Sequence, residues 1–148
     1  MKYTKYIKKL TPQELGYRKG RLTTGGYFYI SKSAVGNFFE VLDKSIHNDS
    51  RNLIFSDPLK KGHTIEASYV YHNDLYALEN GTRNEYRIYL NRDLAKHELH
   101  FQPDDIVVFK REVDGHLTIS HYKLGDEKYE ELLEVINTNF TRGNHALL

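Results

Sequence analysis

Three charged residues at alternate positions within Thr82–Arg87 are the clearest candidates for chemistry: Arg83, Glu85 and Arg87. In an extended strand such side chains share one face at steps of ~6.7 Å, close to two base-pair rises of ~3.4 Å each. Arginine can make two hydrogen bonds to guanine, and glutamate can accept one from cytosine N4 or hold an arginine in position. Because phosphates would repel the glutamate, the row favours contact with base edges.

An ordinary surface strand could carry the same residues as a solvated ion-pair ladder, worth ~0.2–1 kcal/mol per pair. Two features favour a ligand instead. The row follows Asn80-Gly81, a dipeptide typical of hairpin turns. A second basic group, consisting of Arg18, Lys19 and Arg21, lies in the glycine-rich segment Thr11–Gly26. Two such basic segments projecting from one domain could hold a groove of nucleic acid between them.

Charge is distributed unevenly along the chain. Residues 1–32 carry eight Lys/Arg and one acid, Glu14, a net charge of +7. The other 116 residues carry the remaining 13 bases and 19 acids, a net −6, so the two parts sum to the overall +1. A basic end suits a polyanion-binding surface, because neutralising phosphates releases counterions. A solvated basic strand would give the same count.

Length and composition indicate one soluble domain. The chain has 148 residues, of which 39% are hydrophobic and 28% charged, as in ordinary globular proteins. No run approaches the roughly 20 apolar residues of a membrane-spanning helix, and no secretory signal is visible, so we expect no membrane partner. The absence of cysteine excludes disulfides and thiolate metal sites, and the cytoplasm is the expected location.

Hydrophobic periodicity predicts a mainly β (α+β) fold with seven short strands and two flanking helices. The strands are expected at Tyr3–Leu10, Tyr27–Ile30, Leu53–Phe55, His63–Tyr71, Thr82–Leu90, Ile106–Phe109 and His116–Tyr122. One helix is expected after Ser31 or Ser33 and the other at Glu127–Ile136, with a further short helix at Asn91–Leu99. The first helix would turn its apolar residues inward: Val35, Phe38, Phe39 and Leu42. These elements suggest a closed or nearly closed antiparallel barrel over residues 1–138, followed by a linker or frayed terminus over 139–148.

Four segments resemble a known family. They are Tyr6-Ile-Lys-Lys-Leu10, Gly25-Gly26 followed by Tyr-Phe-Tyr-Ile, Glu66-Ala-Ser-Tyr-Val-Tyr-His-Asn73 and Gly81-Thr-Arg-Asn-Glu-Tyr-Arg-Ile88. In this order, over roughly residues 3–120, they are similar to the amino-terminal effector domain of EcoRII-type restriction endonucleases. The resemblance implies a seven-stranded pseudobarrel like the plant B3 transcription-factor domain, which holds the major groove between an N-arm and a C-arm.

By that likeness, Thr11–Gly26 is the N-arm and Asn73–Arg87 the C-arm. The resemblance implies DNA contacts by the matching C-arm residues, which are Arg83, Glu85 and Arg87. Asn84, which lies within the same segment, is a further candidate for DNA contact. Tyr86 stands where the family can have a lysine. The N-arm differs from the family in length and composition, so charge and position nominate its candidates, which are Arg18, Lys19, Arg21, Thr23 and Thr24.

Two other classes of function use residues of this chain. Asp104, Asp126 and Lys128 fit the loose pattern of a small metal-dependent nuclease. That pattern needs its second acid on a strand, whereas Asp126 begins a predicted amphipathic helix. A protein-interaction barrel could instead use the charged row to meet an acidic partner. The eight histidines form no persuasive metal set, and no nucleotide-binding loop or serine-hydrolase motif is present.

The sequence therefore predicts a non-catalytic domain that binds double-stranded DNA sequence-specifically in the major groove. Basic residues of the arms would contact phosphates, and the Arg83, Glu85 and Arg87 row would contact bases. The expected role is target recognition in a restriction endonuclease or restriction complex. A nuclease or motor would then lie in other domains or subunits, and DNA binding would need no cofactor and no metal.

Overall fold

The computed structural model describes residues 2–18, 21–22, 26–73, 84–89, 101–139 and 143–148. Ten strands, one α-helix and two short 3-10 helices lie within these ranges. The strands are β1 (Lys5–Lys9), β2 (Tyr17–Arg18), β3 (Arg21–Leu22), β4 (Tyr27–Ile30), β5 (Ser50–Ser56), β6 (Thr64–His72), β7 (Glu85–Tyr89), β8 (Ile106–Arg111), β9 (Leu117–Tyr122) and β10 (His145–Leu147). The α-helix α1 spans Glu127–Thr138, and the 3-10 helices span Gln13–Leu15 and Lys32–Ala34.

Eight of the described strands form one sheet in the order β10-β1-β8-β9-β5-β6-β7-β4, while β2 and β3 form a separate hairpin. Neighbouring strands of the sheet are antiparallel, except that β5 and β9 run parallel. On β6, alternate residues are buried: Ile65, Ala67, Tyr69 and Tyr71. This period of two turns one face of the strand into the core, as its sequence predicts.

The sheet curls into a half-barrel around an aromatic core. Phe28 on β4, at one edge of the sheet, has its ring centroid 6.2 Å from that of Phe109 on β8, near the other edge. The backbone N–H of Ser31, just after β4, donates to the hydroxyl of Tyr6 on β1 at 3.2 Å. The curl therefore brings the two ends of the sheet together across the core.

The α-helix covers the outer side of β1 and β8. Ile7 and Ile106 from the strands form a second apolar cluster with Tyr129, Leu132 and Ile136 of α1. The helix begins at the predicted Glu127 and ends two residues after the predicted Ile136. Its inward positions follow the helical spacing that the sequence indicates. The helix therefore supports the sheet on the side opposite the main core.

The helix predicted after Ser31 is wrong. The chain forms a single 3-10 turn at Lys32–Ala34, followed by turns in which Gly36 has φ +81°. A residue in this left-handed region ends a helix rather than continuing it. Three of the apolar residues expected inward are nevertheless buried, namely Phe38, Phe39 and Leu42. The apolar pattern identified core residues correctly and assigned them the wrong local structure.

The carboxyl terminus also departs from the prediction. A linker or frayed end is wrong for residues 145–147, because β10 pairs antiparallel with β1 and Ala146 is fully buried. The main sheet thus has eight described strands instead of the predicted seven. The short helix predicted at Asn91–Leu99 lies outside the described residues. Among the described ranges, no helix has the length and apolar character needed to cross a membrane.

Candidate nucleic-acid interface

The N-arm contains a narrow hairpin made of β2 and β3. Tyr17 is paired with Leu22, and Arg18 with Arg21, so two residues separate the paired arginines. The hairpin therefore places both predicted arginines at its end. Three other N-arm candidates lie outside the described residues: Lys19, Thr23 and Thr24.

A buried glutamate fixes the base of the N-arm. Glu14 is 1% exposed, and one of its carboxylate oxygens lies 2.9 Å from the Lys8 ammonium on β1. The same oxygen accepts the backbone N–H of Tyr29 on β4 at 2.9 Å. The other oxygen accepts the Thr11 backbone N–H at 3.0 Å and its hydroxyl at 3.1 Å. Glu14 therefore ties the start of the N-arm to two strands of the sheet and stabilises the arm.

The C-arm returns to the sheet through β7. Asn84 is exposed just before this strand, and the Glu85 side chain is 28% exposed at its first position. Glu85 and Arg87 lie on the outer face of β7, because the alternating Tyr86 and Ile88 belong to the core. Their shared face confirms this part of the strand prediction. Arg83 lies outside the described residues.

Arg87 is held in place by three side chains. Its Nε donates to Glu85 Oε2 at 2.9 Å, and its Nη1 donates to the Tyr89 hydroxyl at 3.1 Å. Its guanidinium carbon lies 3.9 Å from the centroid of the Tyr27 ring, a cation–π contact. Burial lowers the pKa of Arg87, but the hydrogen bonds to Tyr89 and Glu85 outweigh burial and raise that pKa above its ordinary value.

Arg87 is therefore much less exposed than the sequence suggested. The residue is 5% exposed, whereas an exposed row was expected. Its Nη2 is buried and has no hydrogen-bond partner among the described residues. A strand period predicts which face a side chain takes, but not which neighbours cover it there. Contact between Arg87 and a base stays a prediction, and it would require the side chain to leave Glu85 and Tyr89.

The two arms join the sheet side by side. β4 follows the N-arm directly and pairs with β7, which ends the C-arm, so that Tyr27 faces Tyr89 and Tyr29 faces Arg87. The Tyr27 and Tyr29 hydroxyls lie 3.0 Å apart. This hydrogen bond, followed by burial and the nearby Glu85 charge, raises the pKa of Tyr29 to about 12. The tyrosines and Glu14 thus link the bases of both arms.

Sequence reasoning missed this linking role. The sequence predicts a strand at Tyr27–Ile30 but does not indicate its partner, and the contacts of its tyrosines depend on the pairing of two strands far apart in sequence. Glu14 did give a signal, because it is the single acid among residues 1–32. Charged side chains are almost never fully buried unless they are paired, and the basic residues around Glu14 in the sequence offer such partners.

The nuclease candidates have structural positions in the fold. Asp126 precedes α1 and accepts the Lys123 backbone N–H at 2.6 Å. Asp104 has φ +71°, and its carbonyl accepts the Tyr129 hydroxyl at 2.7 Å. Within the described parts of the chain, no three metal-ligating side chains are grouped to hold an ion. The geometry therefore favours structural roles for these two aspartates, with Asp104 in a turn and Asp126 at the start of α1, over a shared metal centre.

Solved structures share this curled half-barrel over nearly the whole chain, and its architecture is consistent with a B3-like pseudobarrel. One is the N-terminal domain of Helicobacter pylori LlaJI.R1, which is 17% identical with a TM-score of 0.58, and the match covers 98% of this chain and 97% of that chain. Another is the B3 domain of the UbaLAI restriction endonuclease with cognate DNA, which is 18% identical with a TM-score of 0.52, covering 97% and 85% of the two chains. No family model and no curated protein matches the sequence.

Proposed function

We propose that this chain is a sequence-specific binding domain for double-stranded DNA, which holds the major groove between its N-arm and C-arm. The observation that carries the proposal is the pairing of β4 with β7, which anchors the two arms on neighbouring strands. Arms fixed in this way keep a defined spacing, as recognition of a regular helix requires. The shared fold with a B3 domain in complex with its cognate DNA supports the same function.

Contacts with the DNA backbone are assigned to the N-arm. A hairpin with two arginines at its end can approach a groove and neutralise phosphates, because counterion release favours binding of any sequence. The residues assigned to this role are Arg18, Lys19, Arg21, Thr23 and Thr24.

Base recognition is assigned to the C-arm, through Arg83, Asn84 and Glu85. Glu85 Oε2 is engaged by Arg87, while its Oε1 accepts no hydrogen bond from the described residues. That oxygen can accept a hydrogen bond from a cytosine amino group. Arg87 supports base recognition by holding the glutamate, and the direct contact predicted from sequence would need an open conformation.

The wider role we propose is target recognition in a restriction endonuclease or restriction complex. The likeness to the UbaLAI B3 domain supports this role. The nuclease or motor would be supplied by other domains or subunits, and DNA binding itself would use no cofactor.

Selection of bound duplexes from a random pool, followed by sequencing, tests the function. We expect enrichment of one short motif and retention of intact DNA when Mg²⁺ is added. Enrichment of no motif would contradict specific recognition. Cleavage lost in Asp104→Asn and Asp126→Asn would instead support the nuclease. Binding to an acidic protein that excess random duplex fails to displace would favour a protein-interaction barrel.

A further inference from the structure

A cavity of about 620 Å³ lies where the connection between β4 and β5 meets β6 and β7. Its volume falls within the ~300–1,000 Å³ typical of ligand clefts. Its apolar lining includes Val35 and Val41 of the connection, Tyr71 on β6 and Tyr86 on β7. Val41 is 60% exposed, whereas the two tyrosines are buried. The cavity is therefore an open cleft with an apolar floor that an apolar group of a partner would cover.

Two lysines supply positive charge to this cleft. Lys32 and Lys44 both belong to its lining and are exposed. Neither lysine forms an ion pair with a carboxylate of the described residues. Their ammonium groups are therefore available to an anionic partner, which positive charge of this kind attracts and orients.

The acidic side chains nearest to the lysines are engaged away from the cleft. Glu85 belongs to the lining, but its carboxylate lies on the outer face of β7, where it accepts Arg87 Nε at 2.9 Å. That face is opposite the one on which Tyr86 enters the core. Asp43, which precedes Lys44, accepts the backbone N–H of Ser45 at 2.9 Å and its hydroxyl at 2.6 Å. The charge of the two lysines is therefore not neutralised within the cleft by these acids.

Two sets of hydrogen bonds hold the walls of the cleft in position. The Leu42 backbone N–H donates to the Tyr86 hydroxyl at 3.1 Å. Asn73, which follows β6 and is 4% exposed, donates from its amide to the carbonyls of Lys44 at 3.2 Å and Ile46 at 3.1 Å. The connection between β4 and β5 is therefore fixed to β7 and to the end of β6. A cleft preformed in this way binds a partner without the cost of ordering its walls.

We propose that this cleft docks an acidic peptide segment of a partner protein. One large apolar side chain of the segment would lie on the apolar floor, and carboxylates beside it would pair with Lys32 and Lys44. A DNA backbone offers anions but no apolar group for the floor, whereas a peptide supplies both. An apolar anchor in a pocket with charged groups at its rim is a common arrangement at protein interfaces. The site is separate from the proposed contacts with DNA bases, and the inference does not depend on them.

Selection from a random peptide library displayed on phage, with the whole chain as bait, tests the proposal. We expect enrichment of a motif with one large apolar residue flanked by Asp or Glu. A fluorescein-labelled synthetic copy of the enriched peptide then serves as the probe for anisotropy. Enrichment of peptides without acidic residues would overturn the proposal.

A carboxylate introduced into the cleft provides the matched comparison. Val41→Glu places it at an exposed position of the lining, while Ile54→Glu places it at a similarly exposed apolar residue on β5, outside that lining. We expect Val41→Glu to abolish binding of the peptide, because it removes apolar surface and repels the acids, and Ile54→Glu to retain it. Equal affinity of the two variants for the peptide would overturn the proposal.

The lysines are tested separately, with peptide and DNA on the same variants. We expect Lys32→Gln and Lys44→Gln each to weaken peptide binding by about two- to fivefold, the loss of one exposed ion pair. Lys61→Gln, at an exposed lysine outside the lining, should leave it unchanged. If the first two variants instead weaken binding of a random duplex and leave peptide binding unchanged, the lysines contact DNA phosphates. That result would overturn the docking of a peptide and leave the proposed function intact.

Discussion

Replacing Arg87 by methionine tests whether this residue holds Glu85. The change keeps most of the buried stem and removes the donors to Glu85 at 2.9 Å and to Tyr89 at 3.1 Å. A hydrogen bond between charged groups contributes ~1.5–3 kcal/mol, and a desolvated cation–π contact such as that with Tyr27 about 2 kcal/mol. Packing of the methionine and rehydration of Glu85, whose side chain is 28% exposed, offset part of the loss.

We therefore expect Arg87→Met to lower the free energy of unfolding by about 2–3 kcal/mol, measured by urea denaturation. At ~2–4 °C per kcal/mol, the melting midpoint falls by about 4–12 °C. The matched control is Arg51→Met, because Arg51 is likewise paired with carboxylates, those of Glu40 and Asp49, but its side chain is 46% exposed. That control should cost no more than ~1 kcal/mol. Equal losses in the two variants would refute the structural role of Arg87.

Binding to the selected duplex separates positioning from direct base contact. If Arg87 acts through Glu85, then Glu85→Gln and Arg87→Met each weaken specific binding by ~1–3 kcal/mol. The double variant should then lose little more than the worse single variant, with an interaction energy of ~0.5–3 kcal/mol between the two positions. Fluorescence anisotropy with selected and scrambled duplexes gives these values. Two results together would show that Arg87 contacts guanine itself. The losses of the two single variants would be additive, and a duplex with 7-deazaguanine at one position would lose as much binding as Arg87→Met does.

Three further predictions follow from other parts of the molecule. Lys19→Ala and Arg21→Ala should weaken binding to all duplexes alike and reduce the slope of log K against log salt by ~0.9 per lost phosphate contact; losses confined to the selected duplex would contradict this. The pKa of Tyr29 is raised from 10.0 to about 12 in the folded state. Between these pH values the folded state keeps the tyrosine proton and the unfolded state loses it. Urea denaturation should therefore show the free energy of unfolding falling from about pH 10 to about pH 12. Tyr29→Phe should reduce this fall, and an unchanged profile would contradict the assignment. Deleting residues 143–148 should lower the melting midpoint, because β1 loses its partner β10 and the second cluster loses Ala146; an unchanged midpoint would contradict the role of β10.

Local sequence signals predicted much of this fold. β4 has the predicted bounds of Tyr27–Ile30, and α1 begins at the predicted Glu127. Both elements have strong patterns of their own, one aromatic and one amphipathic. β10 has three residues and forms by pairing with β1, so no local pattern indicates it. The failed helix after Ser31 shows the same limit, since its apolar residues fill the core from turns.

For the candidate site, the sequence predicted which side chains share a face of the strand better than it predicted which residues surround them. The period of two placed Glu85 and Arg87 together, and their 2.9 Å contact confirms that placement. The burial of Arg87 depends on Tyr27, which lies 60 residues earlier and meets it because β4 pairs with β7. Contacts of this kind depend on the order of strands, which alternation within a single strand does not determine.

Dimethyl sulfate footprinting on the selected duplex tests the central claim most directly, because the reagent methylates guanine N7 in the major groove and adenine N3 in the minor groove. If both arms enter the major groove, the bound chain protects guanine N7 within the motif and leaves adenine N3 reactive. Protection of adenine N3 with guanine N7 fully reactive would contradict the proposed mode of binding.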